Sequence, residues 1–225
     1  MASTNETVIW FKNVDFHYDF RKPIMDEVNF NVRKGAKITI MGQNGAGKST
    51  MFKLINGTLE KSGGLINLDK KATIATSFQV VKAEDKELSV KDFFIKYIPP
   101  HFEWGVDKQI MDVLQVVNLT VKDFEKKISA FSGWQQARLL LASALIQDPD
   151  ILLLYEPTNN LDVDGIWHLT DFLQNYPKTV LVISHDAEFL NSFTEGVLYL
   201  DVHTKKVEQF VWDYHDVVEK IKVKM

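Results

Sequence analysis

Residues Gly42 to Thr50 read GQNGAGKST and fit the spacing G-x-x-x-x-G-K-[ST]. The segment follows an apolar run, Lys37 to Met41, that reads as a strand. After Lys48, the residues Met51, Phe52, Leu54 and Ile55 recur at helical spacing, with Gly57 placed where a helix would stop. A strand therefore passes into a helix across glycines. In that setting consecutive backbone N–H groups can turn inward around phosphate oxygens, and the helix N-terminus adds partial positive charge at the same point. Lys48 is expected to reach the terminal phosphates, and the Ser49 hydroxyl to offer one position to Mg²⁺. An ordinary glycine-rich turn is the bland alternative, and the strand-to-helix context argues against it.

The rest of the chain fits an α/β fold. Apolar and polar residues alternate through Val8 to Phe16 and again through Val28, Phe30 and Val32, which predicts a half-buried antiparallel β subdomain ahead of the loop. From Leu88 to Phe131 the pattern turns helical and loop-rich, broken at Pro99 and Pro100. Strand signals return at Ile151 to Tyr155, followed by a helix around Ile166 to Asn175, a strand over Thr179 to Ser184, a short helix from Ala187, and strands near Val197 and Val207. Such alternation predicts a largely parallel core sheet. The expected division is a core of residues 1–79 and 137–225 with a helical subdomain between them, at about 80–136.

Composition narrows the function classes. The 225 residues are 45% hydrophobic, enough for a sizeable core, and the net charge of -4 gives no broad electrostatic footprint for DNA or RNA. The absence of cysteine excludes disulfides and thiolate metal sites. No charged-then-apolar leader follows Met1, so a cytoplasmic protein is expected. The longest apolar runs, Ile151 to Tyr155 and Thr179 to Ile183, fall far short of the roughly 20 residues that a membrane helix needs.

A phosphate loop alone belongs to many nucleotide-hydrolysing families. Later residues discriminate among them. Phe131 to Arg138 reads FSGWQQAR, Ile151 to Asp162 reads ILLLYEPTNNLD, and Val180 to Asp186 reads VLVISHD. With Gln79 after the strand Thr73 to Ser77, and Tyr18 in the first stretch, these segments resemble, in family order, the signature, Walker B, D-loop, switch-histidine, Q-loop and adenine-stacking elements of ATP-binding cassettes (ABC). The wording PTNNLD and SHDAEFL is most similar to the ABC-F class, soluble ATPases that act on ribosomes and carry two cassettes per chain. This chain shows one cassette, so it resembles one half of such a protein, without the class's linker after Met225. The ATPase subunit of a membrane transporter is the second reading.

The resemblance implies a P-loop core of ABC type, ATP and Mg²⁺ as ligands, and a second cassette as partner. It implies nucleotide contacts from Tyr18, Asn44, Gly45, Ala46, Gly47, Lys48, Ser49 and Thr50, and from Ser132 and Gly133 across a dimer. Glu156 would be the general base, His185 would sense the γ-phosphate, and Gln79 would bridge metal and water. Asp162 would face the partner cassette, or cap the helix before Ile166, or both. Tyr18 could instead be a core aromatic. Two positions depart from the family pattern: Tyr155 replaces an aspartate, and Trp134 replaces the second glycine of the signature. A phenol cannot supply the carboxylate's charge, and an indole should obstruct the close approach of a second cassette, unless Trp134 packs inside its own subdomain. With Trp212, these residues suit a chain degenerated or engineered to prevent turnover or association. Binding without efficient turnover is therefore the alternative to an active ATPase.

Overall fold

The computed structural model describes residues 6–19, 22–77, 80–99 and 105–210. Trp212 and the basic end at Lys220 to Lys224 lie outside the described residues, as does Gln79. Among the described residues nine strands form two sheets. The first sheet is antiparallel, with β1 (Thr7–Asp19) between β2 (Lys22–Arg33) and β4 (Gly63–Leu68). Its buried face does not keep a strict two-residue period: Phe11 and Val14 are both buried, as are Met25 and Val28. The register shifts between Phe11 and Val14, and Asn13 and Glu27 adopt left-handed φ of 47° and 46°, so a bulge resets the alternation. Phe11 pairs with Phe30 and stacks on it at 4.4 Å between centroids. The β4 strand escapes a reading by alternation because its residues are exposed or half-buried throughout and it opens on two glycines.

The second sheet carries the site. Its order is β5 (Ile74–Ser77), β6 (Ile151–Tyr155), β7 (Thr179–Ile183), β3 (Lys37–Gly42), β8 (Gly196–Leu200) and β9 (Val207–Phe210). All pairings are parallel except β8 with β9. Helices and the first sheet cover both faces, which is why β6 and β7 read as unbroken apolar runs rather than alternating ones. Strand parity divides their side chains. Ile151, Leu153, Leu181 and Ile183 join the core under the antiparallel sheet and α1 (Lys48–Ile55). Leu152, Leu154, Val180 and Val182 join the core formed with α2 (Val90–Ile95), α3 (Val106–Val116), α4 (Gly133–Leu145), α5 (Val163–Asn175) and α6 (Ala187–Phe193).

This is the α/β architecture expected, with an antiparallel β subdomain and helices packed on the core sheet. Phe93, Phe94 and Ile110 of α2 and α3 are fully buried in the same cluster as Leu152 and Val182 of the sheet. Among the described residues no helix is long and apolar enough to cross a membrane. Because β3, β6 and β7 run parallel, their C-terminal ends gather at one edge, where an open α/β sheet receives its ligand.

Candidate functional site

The loop leaving β3 turns on glycines that no other residue could replace without strain. Gly42 has φ of 149°, and a Cβ there would lie 2.6 Å from the Leu200 carbonyl oxygen. Gly47, at φ 108°, is the N-cap of α1, and a Cβ would meet Ile24 Cγ2 at 2.6 Å. Asn44 and Gly45 are exposed at the tip, and Ala46 is buried with its N–H donated to the Gln43 carbonyl at 3.1 Å. The first turn of α1 contains no acidic residue, so its positive end faces the loop uncompensated by the helix itself.

Lys48 opens α1 and is 9% exposed. Its Nζ donates to the carbonyls of Gly42 at 2.7 Å and Gln43 at 3.2 Å, which folds the ammonium over the loop. Burial lowers its pKa below the ordinary lysine value, and the nearby Glu156 carboxylate opposes that shift. Ser49 is exposed beside it, while Thr50 is buried and its Oγ1 lies 3.3 Å from the Tyr18 hydroxyl. Tyr18 is 63% exposed and meets Phe16 edge-on at 4.8 Å, so it is a surface aromatic tethered to α1 and not a core residue. The structure thus brings Tyr18 together with the phosphate loop.

At the end of β6 the chain turns sharply. Glu156 adopts a left-handed φ of 47° and donates its N–H to the Ile183 carbonyl at 2.7 Å. One carboxylate oxygen accepts the His185 N–H at 3.3 Å, and the other lies 3.3 Å from His185 Nε2. The Glu156 side chain is 8% exposed and that of His185 is 73% exposed, so a protected carboxylate meets an accessible imidazole. Beneath them Thr158 and Ser184 hydroxyls, both buried, lie 3.4 Å apart. Tyr155 is half-buried and packs against the core cluster shared with α1. It also lines a cavity of about 220 Å³ together with Ser77, Arg138, Glu156 and Asn160.

Ser132 and Gly133 stand at the N-terminus of α4, on the helical side of the sheet. Ser132 caps α4 through a capping box with Gln135 and is exposed, as is Gly133, around which a Cβ would find open space. Trp134 is 49% exposed and is not a core residue; the Arg138 guanidinium lies 4.8 Å from its ring centroid. Asp162 caps α5 by accepting the Gly165 N–H at 2.9 Å.

Arg138 is the residue that a reading by motif passes over. Its buried guanidinium donates to the carbonyls of Asn160 at 2.9 Å and Asn118 at 2.7 Å, and pairs with Asp162 at 3.3 Å. It ties the segment after β6 to α4 and to the turn after α3. The one signal available was a charged residue at the head of the apolar run LLLASAL.

A family sequence model described as ABC transporter matches residues 25–159. Among curated relatives, a probable ATP-binding protein YheS of Haemophilus influenzae is 34% identical over 86% of this chain and 30% of its own length. ABC transporter F family member 2 of Arabidopsis thaliana is 29% identical over 96% of this chain and 31% of its own length. The chain spans about a third of the length of these relatives. Among solved structures, the ATP-binding subunit of an ABC transporter superposes with a TM-score of 0.80 at 18% identity, covering 96% of this chain and 94% of the other. The ATP-binding cassette MJ0796, a dimer in a post-hydrolysis state bound to ADP and Pi, superposes with a TM-score of 0.71 at 26% identity, covering 89% and 96%.

Proposed function

Because the chain belongs to the ABC transporter family of ATP-binding cassettes, we propose that it holds ATP on residues 43–50, with turnover slowed by Tyr155 and by restricted pairing with a second cassette. The observation that carries the reading is the buried Lys48 at the head of α1, folded over a glycine loop whose conformation needs Gly42 and Gly47. Phosphate oxygens would replace the Gly42 and Gln43 carbonyls as partners of Lys48, and loop N–H groups would complete the cradle. Tyr18 supplies a face for the adenine and carries no readable code for the base.

Glu156 would take a proton from the attacking water, and His185 would hold the γ-phosphate through its exposed ring. Both roles require the Glu156–His185 contact to open enough to admit phosphate and water between the two side chains. Mg²⁺ would ride on the phosphates with the Ser49 hydroxyl and, by family resemblance, Gln79 as protein donors; the metal supplies charge neutralisation there. The donor set fits the metal only in part, since Tyr155 places a neutral phenol where the family has a carboxylate.

Ser132 and Gly133 would serve the nucleotide of the facing cassette, and the exposed Trp134 beside them would hold that cassette off. The functional division proposed is a nucleotide core of residues 1–79 and 137–225 with a helical subdomain at about 80–136. A ribosome or a membrane transporter subunit is the proposed larger partner, distinguished by co-sedimentation with ribosomes against co-purification with a membrane protein. The test of nucleotide handling is ATP titration calorimetry together with phosphate release, each compared with Lys48→Ala. Binding is expected to be lost in the variant, and equal heats from both proteins would reject the proposal.

A further inference from the structure

We propose that this phosphate loop binds ATP about as tightly without a divalent cation as with one, because position 155 removes the protein's own charge from the metal. The inference rests on the reading of residues 43–50 as the ATP site.

Strand parity settles where position 155 presents its side chain. Ile151 and Leu153 point to the face shared with α1, and Tyr155, two residues on, packs against the same cluster. Whatever residue stands at 155 is therefore presented on the side of the sheet from which α1 and its loop rise. A carboxylate there would add a negative charge to the metal's surroundings, whereas the phenol adds none.

Among the described residues no other carboxylate at this edge is free to substitute. The sequence has no acidic residue between Glu27 and Glu60, so neither the loop nor α1 contributes one. Glu156 holds both oxygens against His185 in this structure, and when that contact opens its carboxylate is committed to the attacking water. Asp162 accepts from Gly165 and Asn118 and pairs with Arg138. Asp186 caps α6 through the Phe189 N–H at 3.0 Å, and Asp201 closes the turn after β8 with the N–H groups of His203 and Thr204. After β5 the first acids, Glu84 and Asp85, lie 3.6 and 2.6 Å from Lys96. Among the described residues no set of three His, Cys, Asp or Glu side chains gathers to hold a metal.

A metal tightens ATP binding only by the ratio of its own affinity for bound ATP to that for free ATP. Free ATP already supplies the phosphate oxygens. The protein adds the neutral Ser49 hydroxyl and at most the Gln79 amide, so the ratio stays near one. The triphosphate's charge is met instead by Lys48 and by the N-terminus of α1, neither of which needs the metal.

The experiment is titration calorimetry of the full chain with ATP in excess MgCl₂ and, separately, in EDTA. The two dissociation constants should agree within about threefold, below the usual range of coupling between sites. Tyr155→Asp should make Mg²⁺ tighten ATP by about 10- to 100-fold, the usual worth of an outer carboxylate at a metal site. Tyr155→Phe, which keeps the ring and its packing, should retain the wild-type ratio and guards against misfolding of the aspartate variant. A wild-type affinity that falls by about tenfold or more in EDTA overturns the inference while leaving the ATP site intact. No ATP heat in either buffer, with the chain folded by circular dichroism, overturns both the inference and the proposed function.

Discussion

Glu156 accepts the backbone N–H of His185 on one carboxylate oxygen and faces the same residue's imidazole with the other, each at 3.3 Å. Two features produce the contact. Tyr155 is in register with Ile183 on the neighbouring strand, which places the next residues of β6 and β7 side by side. The left-handed backbone at Glu156, which costs roughly 1–2 kcal/mol in a residue with a Cβ, then turns the carboxylate towards His185. Strain of this kind concentrates at functional sites.

Glu156→Gln keeps the size of the side chain and removes the proposed base. Phosphate release should fall by about 10²- to 10⁴-fold, with ATP affinity changed by less than about twofold. Single-turnover release of labelled phosphate measures the first and calorimetry the second. Equal release by the two proteins would show that the carboxylate plays no part.

Trp134→Gly removes an indole that is 49% exposed beside the Ser132 cap. In sedimentation equilibrium with ATP, and in a Glu156→Gln background to prevent turnover, the variant should dimerise at least about tenfold more tightly than its parent. An unchanged dissociation constant would clear Trp134 of any role in association.

Arg138→Lys keeps the charge and loses the planar fork that reaches the Asn118 and Asn160 carbonyls. A loss of about 2 kcal/mol is expected, a fall in Tm of about 4–8 °C. Hydrogen exchange at the Leu161 amide, bonded to the Thr158 carbonyl, should quicken if Arg138 holds that turn. A lower Tm with unchanged exchange there would assign Arg138 to α4 alone.

Asp150 staples β5 to β6 at their N-terminal ends: its carboxylate accepts the Thr73 N–H at 2.9 Å and the Thr73 hydroxyl at 3.0 Å. Burial pushes this carboxyl up, but the Thr73 hydrogen bonds and the Lys178 and Lys34 charges hold it below its ordinary value of 3.8. A lowered folded-state pKa gives stability that is present above pH 3.8 and lost as pH falls through the folded value. Asp150→Asn should flatten that acid limb in urea titrations. Its cost at neutral pH is under about 1 kcal/mol, discounted for solvent screening. An acid limb of unchanged slope would assign the dependence to other carboxylates.

The chain's local features were legible residue by residue. The glycine loop, the helix after Lys48 and the unbroken apolar strands each follow from a backbone requirement or a hydrophobic period contained within a few residues. Asp162 as a helix cap belongs to the same class. The bulges at Asn13 and Glu27, the exposed strand β4, the surface placement of Tyr18 on Thr50, the Arg138 junction and the Glu156–His185 contact were not legible in this way. Each depends on a partner many residues away, brought alongside by strand order and by packing on the two faces of the sheet. The amino-acid sequence by itself determined which groups the nucleotide edge contains; the tertiary structure decided which of them are engaged, because hydrogen bonds between distant segments leave no periodic mark on either one.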